Sequence, residues 1–322
     1  MRTENTTPPR RNWREYLGLA ARGFAMGAAD VVPGVSGGTM AFVLGIYEEL
    51  LESIRRVVNP QALGLALRGK VKQALDLLPW PFLLAVGVGV LTAVFSLAHF
   101  LEWALEHYPT LVWAFFFGLV AASIWAVSRR VRRWNVTTLF SALVGAVALY
   151  WIIGLTPVET PTAPWFIFLS GFIAICAMIL PGISGSFILV LLGKYQYILS
   201  AVTGGDFLTL IIFMAGAGIG IVSFAQVLSW LLKRYHDLTV AFLIGLMVGS
   251  LRKLWPWKEM VTGTALTYET NVLPVSWNTE VTLALLLAAV GFLIVILIEI
   301  WALRNERNVP ATTASSPVQN AG

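Results

Sequence analysis

Long apolar stretches alternate with short polar segments along the chain. Six of these stretches are long enough to cross a bilayer as helices, since a spanning helix needs about 20 residues. They cover residues 79–104, 110–128, 137–155, 207–232, 239–255 and 281–303. The pattern predicts an all-α integral membrane protein with six crossings.

Two further apolar regions are each interrupted near the middle. The first, 16–53, is broken by Val-Val-Pro-Gly-Val-Ser-Gly-Gly at 31–38, and the second, 165–202, by Leu-Pro-Gly-Ile-Ser-Gly-Ser at 180–186. Each arm has roughly 14–17 residues and is too short to cross alone. We therefore predict two re-entrant helical hairpins, each of which enters and leaves the bilayer on the same side.

The two interrupted regions are copies of each other. Pro33 is matched by Pro181, 148 residues later, and further along the spacing is 127 residues, as between Trp103 and Trp230. The first spacing also joins Gly34, Ser36, Gly37, Gly45 and Tyr47 to Gly182, Ser184, Gly185, Gly193 and Tyr195. Because Pro, Tyr and Trp recur in register, the chain is predicted to contain an internal repeat.

Each repeat then consists of one hairpin and three spans. Repeat one covers 15–155 and repeat two covers 156–303. The polar tails, 1–14 and 304–322, are rich in Thr, Asn, Pro and Ser and are predicted to be disordered.

The charge pattern predicts how the repeats are oriented. The chain is 57% hydrophobic and only 12% charged, about half the charged share of a soluble domain. Re-entrant hairpins place the N-terminal tail and the basic segments 55–72, 129–133 and 233–234 on one face, which the positive-inside rule makes cytoplasmic. An odd number of crossings per half inverts the second repeat, so hairpin one enters from the cytoplasm and hairpin two from outside. The basic clusters therefore indicate topology, and we expect no nucleic-acid binding.

The hairpin tips carry the candidate chemistry. Non-helical backbone at membrane depth must be buried in protein or line a cavity, and the returning arms begin at the tips with their N-terminal N–H groups directed there. The tips are thus predicted to meet and bind an anion such as phosphate or carboxylate; the alternative is that Pro-Gly only kinks two helices. Ser36 and Ser184 are expected to cap the returning arms. The predicted binding residues are Pro33, Gly34, Ser36, Gly37, Gly38, Thr39, Pro181, Gly182, Ser184, Gly185 and Ser186.

Three ionisable residues within the hairpins extend this hypothesis. Arg22 and Lys194 are cations at membrane depth, where a charge is costly and is by default functional; the alternative is that they snorkel to the interface. The sequence favours Lys194 as the main phosphate cation and leaves Arg22 open. Asp30 lies three residues before Pro33, and burial favours its neutral form, which suits it to carry a coupling proton or else to pair with Arg22.

The tip motifs resemble those of the PopT-type polyprenyl-phosphate transporter family. The matching residues are Asp30-Val-Val-Pro-Gly-Val-Ser-Gly-Gly-Thr39 and Leu180-Pro-Gly-Ile-Ser-Gly-Ser186, and the likeness extends over about 15–303. The resemblance implies a flippase that returns undecaprenyl phosphate from the outer to the inner leaflet of a bacterial plasma membrane by alternating access. We also expect a coupling cation, proton or sodium. The second copy departs from the first, with Met178 for Asp30 and Phe187 for Thr39.

Two other functions stay open from the residues alone. An intramembrane polyprenyl-diphosphate phosphatase needs a carboxylate and an arginine beside its serine, which Asp30 and Arg22 would supply; a secondary transporter of small anions needs only the tips. A serine protease is disfavoured, because His99 is the only histidine in a span and cannot serve two inverted serines. We expect no catalytic residues, metal or cofactor, since the sequence has no HExxH, paired cysteine or Walker loop.

Overall fold

The computed structural model describes residues 11–31, 36–57, 61, 64–65, 68–262 and 267–307. Pro33 and Gly34, most of the N-terminal tail and the C-terminal residues 308–322 lie outside the described residues. The described chain is almost entirely helical, as expected for an all-α membrane protein.

The first half of the chain contains seven described helices. They are α1 Trp13–Val31, α2 Gly37–Val43, α3 Tyr47–Val57, α4 Val71–Leu77, α5 Trp80–His107, α6 Pro109–Ser128 and α7 Val136–Ile153. The second half contains six helices and two strands. They are α8 Pro164–Ile179, α9 Gly185–Leu191, α10 Tyr195–Gly204, α11 Phe207–Arg234, α12 His236–Leu254, β1 Lys258–Thr262, β2 Thr267–Asn271 and α13 Thr279–Arg307.

Each predicted span is a single helix. Five of them, α5, α6, α7, α11 and α13, are long and apolar enough to cross a membrane. The sixth, α12, has nineteen residues but carries Asp237 in its first turn and Arg252 and Lys253 in its last. Small and aliphatic side chains are buried along its length, so it is largely surrounded by protein. The chain is therefore a multi-pass membrane protein.

The returning arm of each hairpin differs from the single helix that the hydropathy predicts. It is divided into α2 and α3 in the first half and into α9 and α10 in the second, and α9 and α10 meet at an angle of 107°. Gly45 and Gly193 lie in these bends with φ of +73° and +62°. Glycine adopts this left-handed conformation without a steric penalty, and it ends the helix there.

Four smaller features add to or correct the sequence-based expectation. The connection between α12 and α13 contains an antiparallel hairpin of β1 and β2. Strand-favouring residues lie where the two strands pair, with Val261 opposite Tyr268 and Thr262 opposite Thr267. The segment between hairpin one and the first span contains the short helix α4. Within the predicted N-terminal tail, helix α1 begins at Trp13 and the Arg11 guanidinium lies 2.6 Å from the Glu49 carboxylate. The final helix α13 continues through Arg307, four residues into the predicted C-terminal tail.

Glycine allows the helices to pack closely in corresponding places of the two halves. A methyl group at Gly23 would lie 2.2 Å from the Val86 carbonyl oxygen, and one at Gly171 would lie 2.3 Å from that of Phe213. These two contacts join α1 to α5 and α8 to α11, and their residues are related by the spacings of 148 and 127. Only glycine permits backbones to approach this closely.

The order of these contacts also gives the relative directions of the packed helices. Gly23 meets Val86 and Gly27 meets Val90, so residue numbers rise together and α1 runs parallel to α5. By the same criterion α8 runs parallel to α11, since Gly216 meets Phe168 and Gly220 meets Phe172.

The halves are joined mainly by α6 and α7. Helix α7 packs against α12 and α6 packs against α13, while α6 and α12 also contact each other. Gly245 meets Ala142 and Gly249 meets Ala146, so α7 and α12 are parallel as well. The outward faces of α5, α7 and α11 carry exposed apolar side chains such as Phe95 and Trp151, as expected for helices that face lipid.

Candidate functional site at the paired helix breaks

The two helix breaks meet directly in the structure. The Gly182 N–H donates to Thr39 Oγ1 at 3.0 Å, and the Ser36 hydroxyl donates to the Leu180 carbonyl at 3.2 Å. Ser36, Thr39 and Ser184 are all buried. The predicted association of the two tips is therefore observed for the residues that the structure describes.

Tyr47 strengthens this junction, although the sequence did not suggest it as a site residue. Its hydroxyl donates to the Ile179 carbonyl at 3.1 Å, next to the second break, and its side chain is almost fully buried. Its ring also packs against Phe42, with centroids 4.6 Å apart. The feature of the sequence that points to it is the recurrence of tyrosine at matched positions of the repeat, Tyr47 and Tyr195.

The first break has its N–H donors occupied by its own side chains. Asp30 Oδ1 accepts from the Gly37 N–H at 2.6 Å, and Ser36 Oγ accepts from the Gly38 N–H at 3.1 Å. The predicted cap by Ser36 is present. The Asp30 carboxylate thus lies where the hypothesis places a ligand anion, and it does not pair with Arg22.

The second break has no such cap. The Ser184 hydroxyl lies 2.7 Å from that of Ser186, and Ser184 does not accept a hydrogen bond from the first turn of α9. The expectation that Ser184 caps the returning arm is therefore wrong. Its hydroxyl has a closer partner in Ser186, a residue that has no counterpart of the same type in the first copy, where Gly38 occupies the position.

Backbone shape at both breaks depends on glycine. Gly182 has φ of +89°, and a methyl group there would lie 3.1 Å from the Leu246 carbonyl oxygen. A methyl group at Gly38 would lie 2.7 Å from the Ile179 carbonyl oxygen. The Gly38 contact shows that the two breaks approach each other through their main chains. The Gly182 contact shows that helix α12 packs against the second break.

Lys194 lies away from the breaks. It follows Gly193 in the bend between α9 and α10, and its buried amine donates to the Thr160 carbonyl at 2.6 Å. The same amine lies 5.6 Å from the centroid of the Phe166 ring. These contacts tie the bend to the segment that leads into α8, and none of them is with a residue of the second break.

Arg22 has a different environment. It is partly buried on α1, and Leu19, Met26 and Ala29, which share its side of the helix, are buried. Among the residues that the structure describes, none forms a hydrogen bond or an ion pair with the Arg22 guanidinium. It lies eight residues before Asp30, about 12 Å along the helix axis.

Metal binding has no support in the described part of the chain, where no three His, Cys, Asp or Glu side chains are grouped to hold an ion. The breaks instead offer backbone N–H groups and the three buried hydroxyls of Ser36, Thr39 and Ser184, and Arg22 lies further along α1. These are groups that bind phosphate or carboxylate oxygens.

Comparison with known proteins identifies the family. A family model described as VCA0040-like, undecaprenyl phosphate translocase-like, matches residues 26–272. The chain belongs to this family. It is 46% identical over 251 residues to a polyprenyl-phosphate transporter of Vibrio cholerae, covering 77% of this chain and 80% of that protein. It is 29% identical over 259 residues to a polyprenyl-phosphate transporter of Staphylococcus aureus, covering 73% and 84% respectively. No solved structure matches the chain.

Both helix breaks lie inside the region that matches the translocase-like family. That region begins at Met26, so it contains Asp30 and every residue of the paired breaks, whereas Arg22 lies just before it. Both relatives are named as transporters.

Proposed function

We propose that the chain is a flippase that returns a polyprenyl phosphate, of the undecaprenyl phosphate type, from the outer to the inner leaflet of a bacterial plasma membrane. The names of the two relatives support the lipid class. The observation that carries the proposal is the direct hydrogen bonding of two helix breaks within a multi-pass membrane protein. Broken helices that meet near the midplane are a recurrent architecture of transporter sites.

Two inverted repeats, each a re-entrant hairpin plus three spans, explain the helix directions. Because α1 runs parallel to α5, the chain between them has to return to the side on which α1 begins. The same holds for α8 and α11. Consecutive spans alternate in direction, so the parallel packing of α7, the third span of repeat one, with α12, the second span of repeat two, supports inversion.

Cysteine labelling tests the proposed topology with both termini in the cytoplasm. Single cysteines at Gln61 and Thr162, in a Cys176→Ser background, should react oppositely with an impermeant reagent in intact cells. We expect only the cysteine at Thr162 to be labelled from outside. Labelling of both positions from outside would contradict the hairpins.

The proposed ligand fits the paired breaks through its two different ends. The phosphate headgroup would bind the uncapped N–H groups of Gly185 and Ser186 and the hydroxyls of Ser184 and Ser186. The prenyl tail is apolar and would stay in lipid beside the exposed helix faces. We propose that this headgroup site lies near the midplane and opens to one side of the membrane at a time, as in other transporters that work by alternating access.

Arg22 is the cation that we propose for this phosphate. A phosphate monoester carries a charge of about −1.5 to −2 near neutral pH, which the short helices α2 and α9 cannot balance alone. Arg22 is partly buried, faces the protein and has no partner among the described residues, whereas the Lys194 amine is bonded to Thr160. We therefore assign to Lys194 the role of holding the bend in place.

Asp30 is proposed as the coupling group. Its carboxylate accepts from the Gly37 N–H at the first break, which is joined to the proposed phosphate site through the bond from Gly182 to Thr39. Two negative charges at this junction would repel each other, so an ionised Asp30 opposes phosphate binding. Protonation would remove the negative charge and weaken this bond. Inward movement of a lipid anion is opposed by the membrane potential by about 2.3 kcal/mol per charge per 100 mV, which a proton or sodium ion moving inward would offset.

Reconstitution tests the proposed function directly. Liposomes containing undecaprenyl phosphate would be treated with an impermeant phosphatase, which removes phosphate only from the outer leaflet. With the protein present we expect nearly all of the lipid to be hydrolysed, and without it about half. Hydrolysis that stops at the outer leaflet in both samples would contradict the proposal.

Two parallel assays separate the alternatives. Release of inorganic phosphate from a polyprenyl diphosphate by the purified protein alone would favour the phosphatase. Uptake of a radiolabelled soluble anion, without movement of lipid, would favour a small-anion transporter.

A further inference from the structure

The two halves differ in how the end of each hairpin meets the opposite repeat. Helix α3 at the end of hairpin one packs against α11 of the second half. The corresponding pair is α10 and α5, and within the described residues no comparable packing joins them. The structure is therefore closed between α3 and α11 and open at the equivalent place.

The closed contact is built around Glu52 of α3. Its carboxylate lies 2.9 Å from the Lys233 amine and 3.2 Å from the Ser229 hydroxyl, both on α11. Arg56, on the same helix as Glu52, approaches it to 3.2 Å. These bonds connect a hairpin of one half to a span of the other.

Burial along the two spans follows the same asymmetry. Around Ser229, the α11 residues Ala225, Leu228 and Leu232 are buried. Their counterparts on α5, found 127 residues earlier, are Ala98, Leu101 and Leu105, and none of these is buried. This face is therefore buried on α11 and only partly buried at the corresponding positions of α5.

The repeat spacing identifies the residues that would form the missing contact. Glu52 corresponds to Ser200 at the spacing of 148, which also relates the starts of α3 and α10 at Tyr47 and Tyr195. Ser229 corresponds to Glu102 at the spacing of 127, between the matched pairs at 101 and 228 and at 103 and 230. The hairpin carboxylate and the span hydroxyl of the closed contact are therefore exchanged in the open one.

Both members of the exchanged pair are available in this structure. Glu102 is exposed and has no hydrogen bond or ion pair among the described residues. The Ser200 hydroxyl is exposed and donates only to the carbonyl of Tyr197 in its own helix, at 2.8 Å. A hydroxyl and a carboxylate form a charge-assisted hydrogen bond when brought together.

We propose that Ser200 and Glu102 bond to each other in a second conformation, in which α10 packs against α5 and the Glu52 contact with Ser229 and Lys233 is open. The present structure then has the cytoplasmic side closed and the outer side open, and the two contacts alternate. This proposal rests on the alternating access of the proposed function. The terms cytoplasmic and outer follow the topology proposed there.

Paired cysteines test the two contacts without a transport assay. In the full chain with Cys176→Ser, Glu52→Cys with Ser229→Cys and, separately, Ser200→Cys with Glu102→Cys would be oxidised in membranes. Disulfide-linked peptides would be quantified by mass spectrometry. We expect both pairs to cross-link, although only the first is in contact in this structure.

Matched controls use the neighbouring tryptophans, which are also related by the repeat. Ser200→Cys with Trp103→Cys, and Glu52→Cys with Trp230→Cys, move one cysteine about 100° around its helix. We expect each control to cross-link at least fivefold less than its partner pair. Cross-linking of the first pair without the second, or controls as reactive as the test pairs, would overturn the proposal.

A population shift provides a second readout. Adding Lys233→Gln to the Ser200→Cys and Glu102→Cys pair should speed its cross-linking by about two- to fivefold, the effect of losing a partly exposed ion pair. An unchanged or slower rate would overturn the coupling of the two contacts. The cross-linking measurement does not involve lipid, so it is independent of the transport assay. If both pairs cross-link as expected but the protein does not return lipid in liposomes, the proposed substrate is rejected and the proposed conformational change is retained.

Exchange of the pair gives a rescue test for transport. Glu102→Ser and Ser200→Glu should each slow lipid return, whereas the double variant restores the pair in the arrangement found in the closed contact. We expect the double variant to recover at least half of the lost rate. If the rate of the double variant is reduced by the product of the two single reductions, the two side chains act independently, which would contradict direct contact.

Discussion

The two helix breaks carry the same motif but bond in different ways. In the first, Asp30 and Ser36 occupy the N–H groups of Gly37 and Gly38, and in the second, Ser184 bonds to Ser186 and leaves α9 without a cap. The difference follows from two positions. Met178 stands where Asp30 accepts from a backbone N–H, and Ser186, which bonds to Ser184, stands where the first copy has Gly38. Duplication preserved the break in the backbone, while substitution divided the chemistry between the copies.

The comparison suggests a division of roles between the breaks. The uncapped break offers free donors to a phosphate, whereas the capped break holds a carboxylate that competes with it. A ligand at one break and a titratable group at the other would be linked through the bonds that join them, from Gly182 to Thr39 and from Ser36 to Leu180.

The largest expected effect comes from the backbone of the second break. Gly182→Val places a β-branched side chain at φ of +89° and against the Leu246 carbonyl, a conformation that such residues avoid. We expect lipid return in liposomes to fall at least tenfold. Gly218→Val is the matched control, because a methyl group there would meet nothing within 4 Å. Similar losses in both variants would contradict a special role for the break.

The next largest effect separates the two candidate cations. Arg22→Gln should weaken binding of the lipid phosphate about tenfold or more, since it removes the only charge proposed to balance the headgroup. Lys194→Met should leave binding within about twofold but destabilise the protein by about 1–3 kcal/mol, because the Thr160 carbonyl loses its donor. Binding and thermal stability in detergent distinguish the variants, and the reverse result would restore Lys194 as the phosphate cation.

A smaller and pH-dependent effect is expected at Asp30. As pH rises the carboxylate ionises and competes with the phosphate, so binding to the unmodified protein should weaken. Asp30→Asn is neutral at every pH and should bind with a flatter profile, and its transport should lose pH dependence. Glu48→Gln, at a well-exposed carboxylate, serves as the control and should keep the original profile. An unaltered pH profile in Asp30→Asn would remove Asp30 from coupling.

The smallest effects compare the two serines. Ser36→Ala removes an N-cap and should cost about 0.5–2 kcal/mol of stability, with partial transport retained. Ser184→Ala removes a bond to Ser186 and no cap, so it should cost less stability, and it also removes one of the two hydroxyls proposed to bind the phosphate. Thermal stability in detergent measures the difference. Complete loss of activity in a folded Ser184→Ala protein would instead indicate a serine nucleophile and favour the phosphatase.

The sequence by itself determined the parts of this fold that depend on residues close together in the chain. Hydropathy located a helix at each of the six predicted spans, and five of these helices are long and apolar enough to cross a membrane. Proline and glycine located the two breaks, since they restrict or free the backbone wherever they stand. The register between the halves also followed from the chain alone and matched the glycine contacts between helices.

Only the tertiary structure decided which of these residues meet. The sequence favoured Lys194 over Arg22 as the phosphate cation. The structure reverses this preference, because Thr160 is folded onto the bend and accepts from the Lys194 amine, while nothing described pairs with Arg22. The contact of Glu52 with Lys233 likewise joins residues 181 positions apart. Such contacts depend on the conformation of the whole chain, so one sequence with two similar halves can close one side and leave the other open.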